Sequence, residues 1–334
     1  WIAGVNATVV GHDELLAVVG FRLIALLGVV MLAVFVPRLA RSFGRDPSVA
    51  FALGVLNPLV LLHLVAGAHN DALMLGFLVA GLAVARDGRP GLGILLCTIG
   101  AMVKVPAFIG VVYIGWGWLG DDVPWRSRLR PTLTATGLAL ATMAAVSQMV
   151  GLGWGWVSAL SNPGTVRSWV DPPTAIGLWL AKLVESLGLG HHEQLLLSTA
   201  RDLGALLAVV IGVRLLWRAT GARTLRAIGL TLLAVVFLGP TVQPWYVAWS
   251  MVILATIAEH RLRVLVIVLS CVSCFFGLPG AGKLVQQFGE ANPILIVLAS
   301  IAIIAVLAIP LVIRIRRALL VTEEDRRLLG VPGG

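Results

Sequence analysis

Charged residues are scarce: Asp, Glu, Lys and Arg make up 12% of the 334 residues, about half the share usual in soluble domains. With 59% of residues hydrophobic and a mean hydropathy of +0.97, the chain lacks the polar surface that a water-soluble fold requires. It also lacks the apolar/polar alternation over about 10 residues per strand that a transmembrane β-barrel needs; Ala302 to Ile309 is apolar throughout. The few cysteines, Cys97, Cys271 and Cys274, all lie in apolar runs. That position excludes a disulfide framework and reads as buried, inert thiols, with Cys271 and Cys274 packing and not a redox pair. No charged segment followed by a cleavage site precedes the first apolar run, so no signal peptide is visible. The start at Trp1 reads as that of a chain missing its N-terminal part.

What is present is a series of apolar windows, near 15–36, 49–66, 70–86, 91–104, 106–120, 131–152, 195–217, 227–241, 245–258, 264–279 and 293–313. Eleven such windows predict an all-α, polytopic transmembrane bundle of about eleven spans, several of them shorter than the roughly 20 residues that cross a hydrocarbon core. Residues 1–313 read as one membrane domain and 314–334 as a basic tail.

Orientation follows from the basic residues, because a net charge of +9 says less in a membrane protein than where the charges sit. Arg38, Arg41, Arg45, Arg86, Arg89, Arg126, Arg128, Arg130, Arg214, Arg218, Arg223, Arg226, Arg261, Arg263 and the five arginines from Arg314 to Arg327 fall in or beside alternate connections. The positive-inside rule makes that side cytoplasmic, with the tail inside and residues 1–14 outside. Reading 91–120 as one kinked span with 174–188 as a crossing keeps the end parity but exports Arg126, Arg128 and Arg130, so two short spans are preferred. Nucleic-acid binding is not called for.

Six of the 25 basic residues break this pattern: Arg22, Lys104, Arg167, Lys182, Arg201 and Lys283. A cation that breaks the rule or sits in a span marks a functional site unless a partner explains it, as Asp202 does beside Arg201 and Glu185 one turn from Lys182.

Four segments on the predicted outer side concentrate polar and aromatic groups. Gly67-Ala68-His69-Asn70-Asp71, with Asn57-Pro58 and His63 upstream, places an imidazole, an amide and a carboxylate together where apolar spans need none. It reads either as a substrate-binding or acid/base cluster or as an interhelical cap. No second ligand pair at defined spacing accompanies it, so no metal is expected. Val103-Lys104-Val105-Pro106 offers an ammonium for a phosphate. From Trp154 to Pro173, three tryptophans with Asn162, Arg167 and Asp171 suit a sugar or a lipid headgroup, or equally an aromatic belt; residues 174–188 read as a helix lying in the interface. At Pro240-Thr241-Val242-Gln243-Pro244-Trp245-Tyr246 two prolines break a helix and leave Gln243, Trp245 and Tyr246 to line a cavity.

Gly277 to Lys283 has the spacing of a phosphate-binding loop, but Leu284 stands where a Mg²⁺-binding Ser or Thr belongs and no strand precedes it. The nucleotide reading therefore fails, while Lys283 among glycines still suits a lipid-linked phosphate.

Asn57-Pro58-Leu59-Val60-Leu61-Leu62-His63, Gly67-Ala68-His69-Asn70-Asp71-Ala72-Leu73, Val103-Lys104-Val105-Pro106-Ala107 and Gln243-Pro244-Trp245-Tyr246 together resemble the polyprenol-phosphomannose-dependent α-1,6-mannosyltransferases of actinobacterial lipomannan synthesis, integral-membrane enzymes of the GT-C class. The resemblance implies transfer of mannose from a polyprenyl phosphate donor to an α-1,6-mannan glycolipid on the outer face of the cell membrane, with inversion and without a cofactor. It also implies a catalytic carboxylate in a first outer loop, here expected upstream of Trp1; Asp13 and Glu14 match no such motif.

An inverting transfer needs a base for the acceptor hydroxyl, cations for the departing phosphate, and aromatic and amide groups for the sugars. The expected assignment is Arg22 and Lys104, with Lys283, on phosphate; His69, Asn70 and Asp71 on sugar hydroxyls; and Gln243, Trp245 and Tyr246 along the acceptor cleft. The alternative class is a secondary transporter or flippase for a lipid-linked substrate. Transporters commonly show two corresponding halves, and the Asn-Pro…His-Asn-Asp block has no second copy.

Overall fold

The computed structural model describes residues 2–10, 13–151, 153–159, 168–276 and 281–328, which are helical or connect helices, with no strand among them. After α1 (Ile2–Val10), α2 (Glu14–Ser42) starts where the Asp13 carboxylate accepts a hydrogen bond from the Leu16 N–H, the usual device for an orphan donor at a helix start. Ala25, Gly28, Leu32, Val36 and Leu39 form its buried stripe, while Leu23, Leu27, Val30 and Val34 face outward. An outward stripe as apolar as the inward one belongs to a helix that does not meet water.

α3 (Pro47–Gly54) ends at Asn57-Pro58, and a π-helical turn, Val60–Ala66, then meets α4 (Asp71–Arg86) at a bend of 115°. Asn57 stabilises the break: its amide donates to the Leu53 carbonyl and to Ser270 Oγ, and its carbonyl accepts from the Leu59 N–H. α4 packs on α2 at very short range because Gly28 rests on the backbone of Ala72 and Leu73, where a Cβ would come within 2.3 Å. α5 (Pro90–Val103) packs on α4 in the same way, Gly81 and Gly93 each lying against the other's carbonyl. Small residues let helices approach where apolar burial gives no net drive. With 16 residues in α4 and 14 in the returning α5, Asp71 and Lys104 come to the same level.

Lys104 and a 3₁₀ turn, Val105–Ala107, separate α5 from α6 (Phe108–Gly117), as preferred for the two short windows. There follow α7 (Trp125–Met149), α8 (Gly155–Ala159), α9 (Pro172–Ser186), α10 (Glu193–Trp217) and α11 (Arg223–Leu238). A second 3₁₀ turn, Pro244–Tyr246, leads into α12 (Val247–Ala255), then come α13 (His260–Phe276), α14 (Ala281–Ala291) and α15 (Pro293–Leu328).

The arginine-rich connections meet at one end of the bundle. Arg38 pairs with Asp87 at 2.7 Å, Arg45 pairs with Glu259, Asp121 accepts from the Gly221 N–H, and Trp125 contacts Trp217. Asp71, Lys104 and the Pro244–Tyr246 turn lie at the opposite ends of the same helices.

Every predicted window is occupied by a helix or a helix pair among the described residues. By length and composition, however, only Glu14–Ser42 and Glu193–Trp217 among them suffice to cross a membrane, or three spans if Val60–Ala66 and Asp71–Arg86 are one bent crossing; Pro90–Val103, Val105–Gly117, Pro244–Ala255 and Pro293–Ile309 are apolar but shorter. The 174–188 segment packs one face inside the bundle: Pro172, Pro173, Thr174, Ala175, Gly177 and Ala181 of α9 are buried, Gly177 directly against Leu197 of α10. One other expectation changes. Cys97 and Cys274 are buried free thiols as expected, but Cys271 is exposed on α13, because the outward stripe of this helix is apolar too.

Candidate functional site

The turn before α4 has steric reasons for its sequence. Ala68 takes φ +52°, and at Gly67 a Cβ would stand 2.4 Å from the His63 carbonyl oxygen and 3.0 Å from the His69 ring. The bend ends on Asn70, exposed and without a side-chain capping bond, and puts Asp71 in the first turn of α4, where the helix dipole favours a negative charge.

Asp71 is fully buried. Lys104 Nζ donates to both its oxygens, at 2.8 and 2.9 Å, and Trp249 Nε1 donates to Oδ1 at 2.6 Å. Lys104 reaches it because Pro106 ends α5 there and the backbone of Lys104 is extended (φ −158°, ψ 128°). The ammonium also lies 4.3 Å from the Tyr246 ring centroid and 5.3 Å from that of Trp249, and Tyr246 stacks on Trp249 at 4.3 Å. These contacts stabilise a cation at low water content. Two of the three ammonium donors serve Asp71, which leaves one, and the Lys104 side chain keeps 26% of its surface open.

Beside the pair, His69 stacks on Trp245 at 4.1 Å with the rings 19° apart, and Trp245 meets Tyr246 edge-on at 6.1 Å. Burial lowers the His69 pKa below 6.5, against the raising effect of Asp71 and with Lys104 and His63 adding to the drop. The imidazole is therefore neutral at pH 7. His63 is a structural neighbour, its Nε2 lying 3.1 Å from the Cys274 carbonyl oxygen.

The structure thus brings together His69, Asp71, Lys104, Trp245 and Tyr246 from three separate motifs. Asp71, expected on sugar hydroxyls, is enclosed and accepts two bonds from Lys104 and one from Trp249. Asn70 and the half-buried Gln243 flank the cluster with amides that have no hydrogen-bond partner among the described residues. Arg22 is exposed on α2, six residues before Gly28, hence about 9 Å along the axis from the α4 contact; it makes no bond to the described residues of the cluster. Lys283 falls in α14, its side chain outside the described part, and Asn162 and Arg167 also lie outside it. Lys182 Nζ sits 5.0 Å from the Trp169 ring, and Glu185 pairs with His191 at 3.3 Å, so these two do not pair with each other.

Trp249 was not singled out from the sequence, and Asp171 was named only among the polar residues of the Trp154 to Pro173 stretch, without a role of its own. Trp249 reads as packing within an apolar window. Asp171 precedes α9 and is completely buried; its Oδ1 accepts the Val242 N–H, and its Oδ2 has no hydrogen-bond partner among the described residues. Burial raises its pKa to about 7, opposed by the Val242 bond and the charge of Arg201, which itself donates to Thr174 Oγ1 at 3.0 Å. Through Val242, Asp171 holds the segment that carries Gln243, Trp245 and Tyr246. The only sequence signal for it was an acid amid Trp169, Pro172 and Pro173.

A family model described as alpha-(1->6)-mannopyranosyltransferase, N-terminal domain, matches residues 1–120, and one described as MptB C-terminal domain matches residues 173–311. An alpha-(1->6)-mannopyranosyltransferase of Mycobacterium tuberculosis is 30% identical across 83% of this chain and 56% of its own. Alpha-(1->6)-mannopyranosyltransferase A of the same organism is 32% identical across 78% of this chain and 52% of its own, and alpha-(1->6)-mannopyranosyltransferase B of Corynebacterium glutamicum is 32% identical across 82% and 49%. The chain spans about half the length of these curated relatives. No solved structure matches. With both stretches of helices and all four motifs inside the matched residues, the chain belongs to the alpha-(1->6)-mannopyranosyltransferase family.

Proposed function

We propose that this chain is the membrane-embedded part of a mannosyltransferase. It transfers mannose from a polyprenyl phosphate donor to an α-1,6-mannan glycolipid on the outer face of the cell membrane. Its helices form a GT-C-type bundle of about eleven crossings, residues 1–313 being one domain, with the basic tail from residue 314 in the cytoplasm. The observation that carries this reading is the ion pair of Lys104 and Asp71 set beneath Tyr246 and Trp249, beside the stack of His69 on Trp245. A partly buried cation with one unused donor, opening among aromatic rings, suits a phosphate that must leave bearing negative charge next to a sugar.

In this arrangement Lys104 donates its third N–H to the leaving phosphate, and Asp71 with Trp249 fixes the ammonium. Arg22 and Lys283 add positive charge around the lipid phosphate. Asn70 and neutral His69 meet sugar hydroxyls, while Gln243, Trp245 and Tyr246 line the acceptor cleft.

The test supplies membranes containing the full-length protein that carries this chain with radiolabelled polyprenyl-phosphate mannose and an α-1,6-mannan acceptor. Extension of the acceptor that is lost in Lys104→Met supports the reading. No extension where a relative is active, together with movement of the intact donor across the membrane, favours a flippase.

A further inference from the structure

A ligand-sized space lies at the arginine-rich end, away from the cluster just described. α5, the residues following α6, and α7 enclose a lateral groove of about 760 Å³, lined on its apolar walls by Ile94, Leu95 and Leu138 and near one end by Trp118, Ser127 and Arg130. This size suits a small ligand or part of a lipid. The stretch of α7 from Ser127 to Thr142 runs about 22 Å, longer than one leaflet's half of a hydrocarbon core. Thr98 and Thr142 do not make the walls polar, because each hydroxyl donates to its own helix, to the carbonyls of Ile94 and Leu138.

The charge at the polar end is available. Arg130 is exposed and makes no ion pair among the described residues. Neighbouring Arg128 is buried, donating from Nε to the Val123 carbonyl and from Nη2 to that of Asp121 at 2.7 Å, while its Nη1 has no hydrogen-bond partner among the described residues. The Asp121 carboxylate accepts the Gly221 N–H at 2.9 Å, and neither Asp121 nor Asp122 forms an ion pair with Arg130 among the described residues. Pro131 contributes no N–H, so the Ser127 carbonyl lacks its usual helical donor and the mouth keeps a polar rim.

We infer that this groove binds an anionic glycerophospholipid, one acyl chain lying along α5 and α7 with the phosphate at Arg130 and Ser127. Basic pockets between membrane helices select acidic headgroups on charge. The polyprenyl donor does not fit the role, because the polar end lies by the start of α5 and Lys104 ends that helix about 20 Å away. The inference does not rest on the transferase reading, since the readout is lipid retention.

The test adds phosphatidylglycerol or phosphatidylcholine to the detergent-purified protein and measures retained lipid by native mass spectrometry. Phosphatidylglycerol is expected to be retained about five-fold over phosphatidylcholine. Arg130→Gln should abolish that preference, and Leu138→Trp, at an exposed position, should lower retention of both. Equal retention of the two lipids, or retention unchanged in both variants, overturns the inference. So does displacement of the bound phosphatidylglycerol by polyprenyl-phosphate mannose, which would make the groove part of the donor site.

Discussion

At the scale of single residues, Asp71 and Lys104 are each other's justification. Removing one charge of a buried pair leaves the other without a partner and costs about 3–5 kcal/mol, so Lys104→Met alone should lower thermal stability sharply. Asp71→Asn combined with Lys104→Met restores neutrality. The double variant is expected to regain most of the stability while transfer stays near background; recovery of transfer as well would confine Lys104 to a structural role. His69 acts on a different variable. Its folded pKa lies below the unfolded value of 6.5, so the unfolded chain takes up the proton more readily. Its contribution to stability is complete above pH 6.5 and is lost as the pH falls through the folded value. His69→Phe, which keeps a ring against Trp245, should weaken the loss of stability on acidification, read by thermal unfolding at pH 7.5 and pH 5.

At the scale of elements, the candidate site gathers where helices are broken. The breaks were legible: Asn57-Pro58, Pro106 and the prolines at 240 and 244 disfavour continuous helix, and the structure interrupts its helices there, whereas Pro37 and Pro131 stay inside α2 and α7. What the sequence could not convey was which breaks touch. Trp249 is one apolar residue among many until α12 is laid against the start of α4, and Asp171 is a loop acid until α9 docks on α10 and seals it. Its hold on Val242 gives an element-level prediction. With its folded pKa raised to about 7 from 3.8, the carboxyl contributes fully below pH 3.8 and progressively less as the pH rises through 7. Asp171→Asn keeps an acceptor for Val242 and removes the titration. It is expected to retain much of the transfer rate and to flatten the pH dependence near 7. Asp171→Leu loses the acceptor, and should raise amide exchange at Val242 and lower transfer at every pH. An unchanged profile in both variants would detach this latch from the cluster.

At the scale of the molecule, the positions of the helices were readable and their status as crossings was not. Hydropathy marks where a segment avoids water, but a helix of 14 residues such as α5 spans about 21 Å and can complete a crossing only with the residues around it. The ion pair constrains the path. Because Lys104 meets Asp71, α4 and α5 together return the chain to the level at which α4 began, and α6 departs from that level again. One kinked span over 91–120 would require Lys104 to lie midway. Asn70 and Asp122 are therefore expected on opposite faces of the membrane. In a background with Cys97→Ala, Cys271→Ser and Cys274→Ala, the exposed positions take single reporters, Asn70→Cys and Asp122→Cys. An impermeant maleimide added to intact spheroplasts should label the first, and the second only after lysis. Labelling of both from outside would mean an even number of crossings between them, and the reverse pattern would place the cluster of Asp71 and Lys104 on the cytoplasmic face, where a lipid-linked donor and acceptor would have to meet instead.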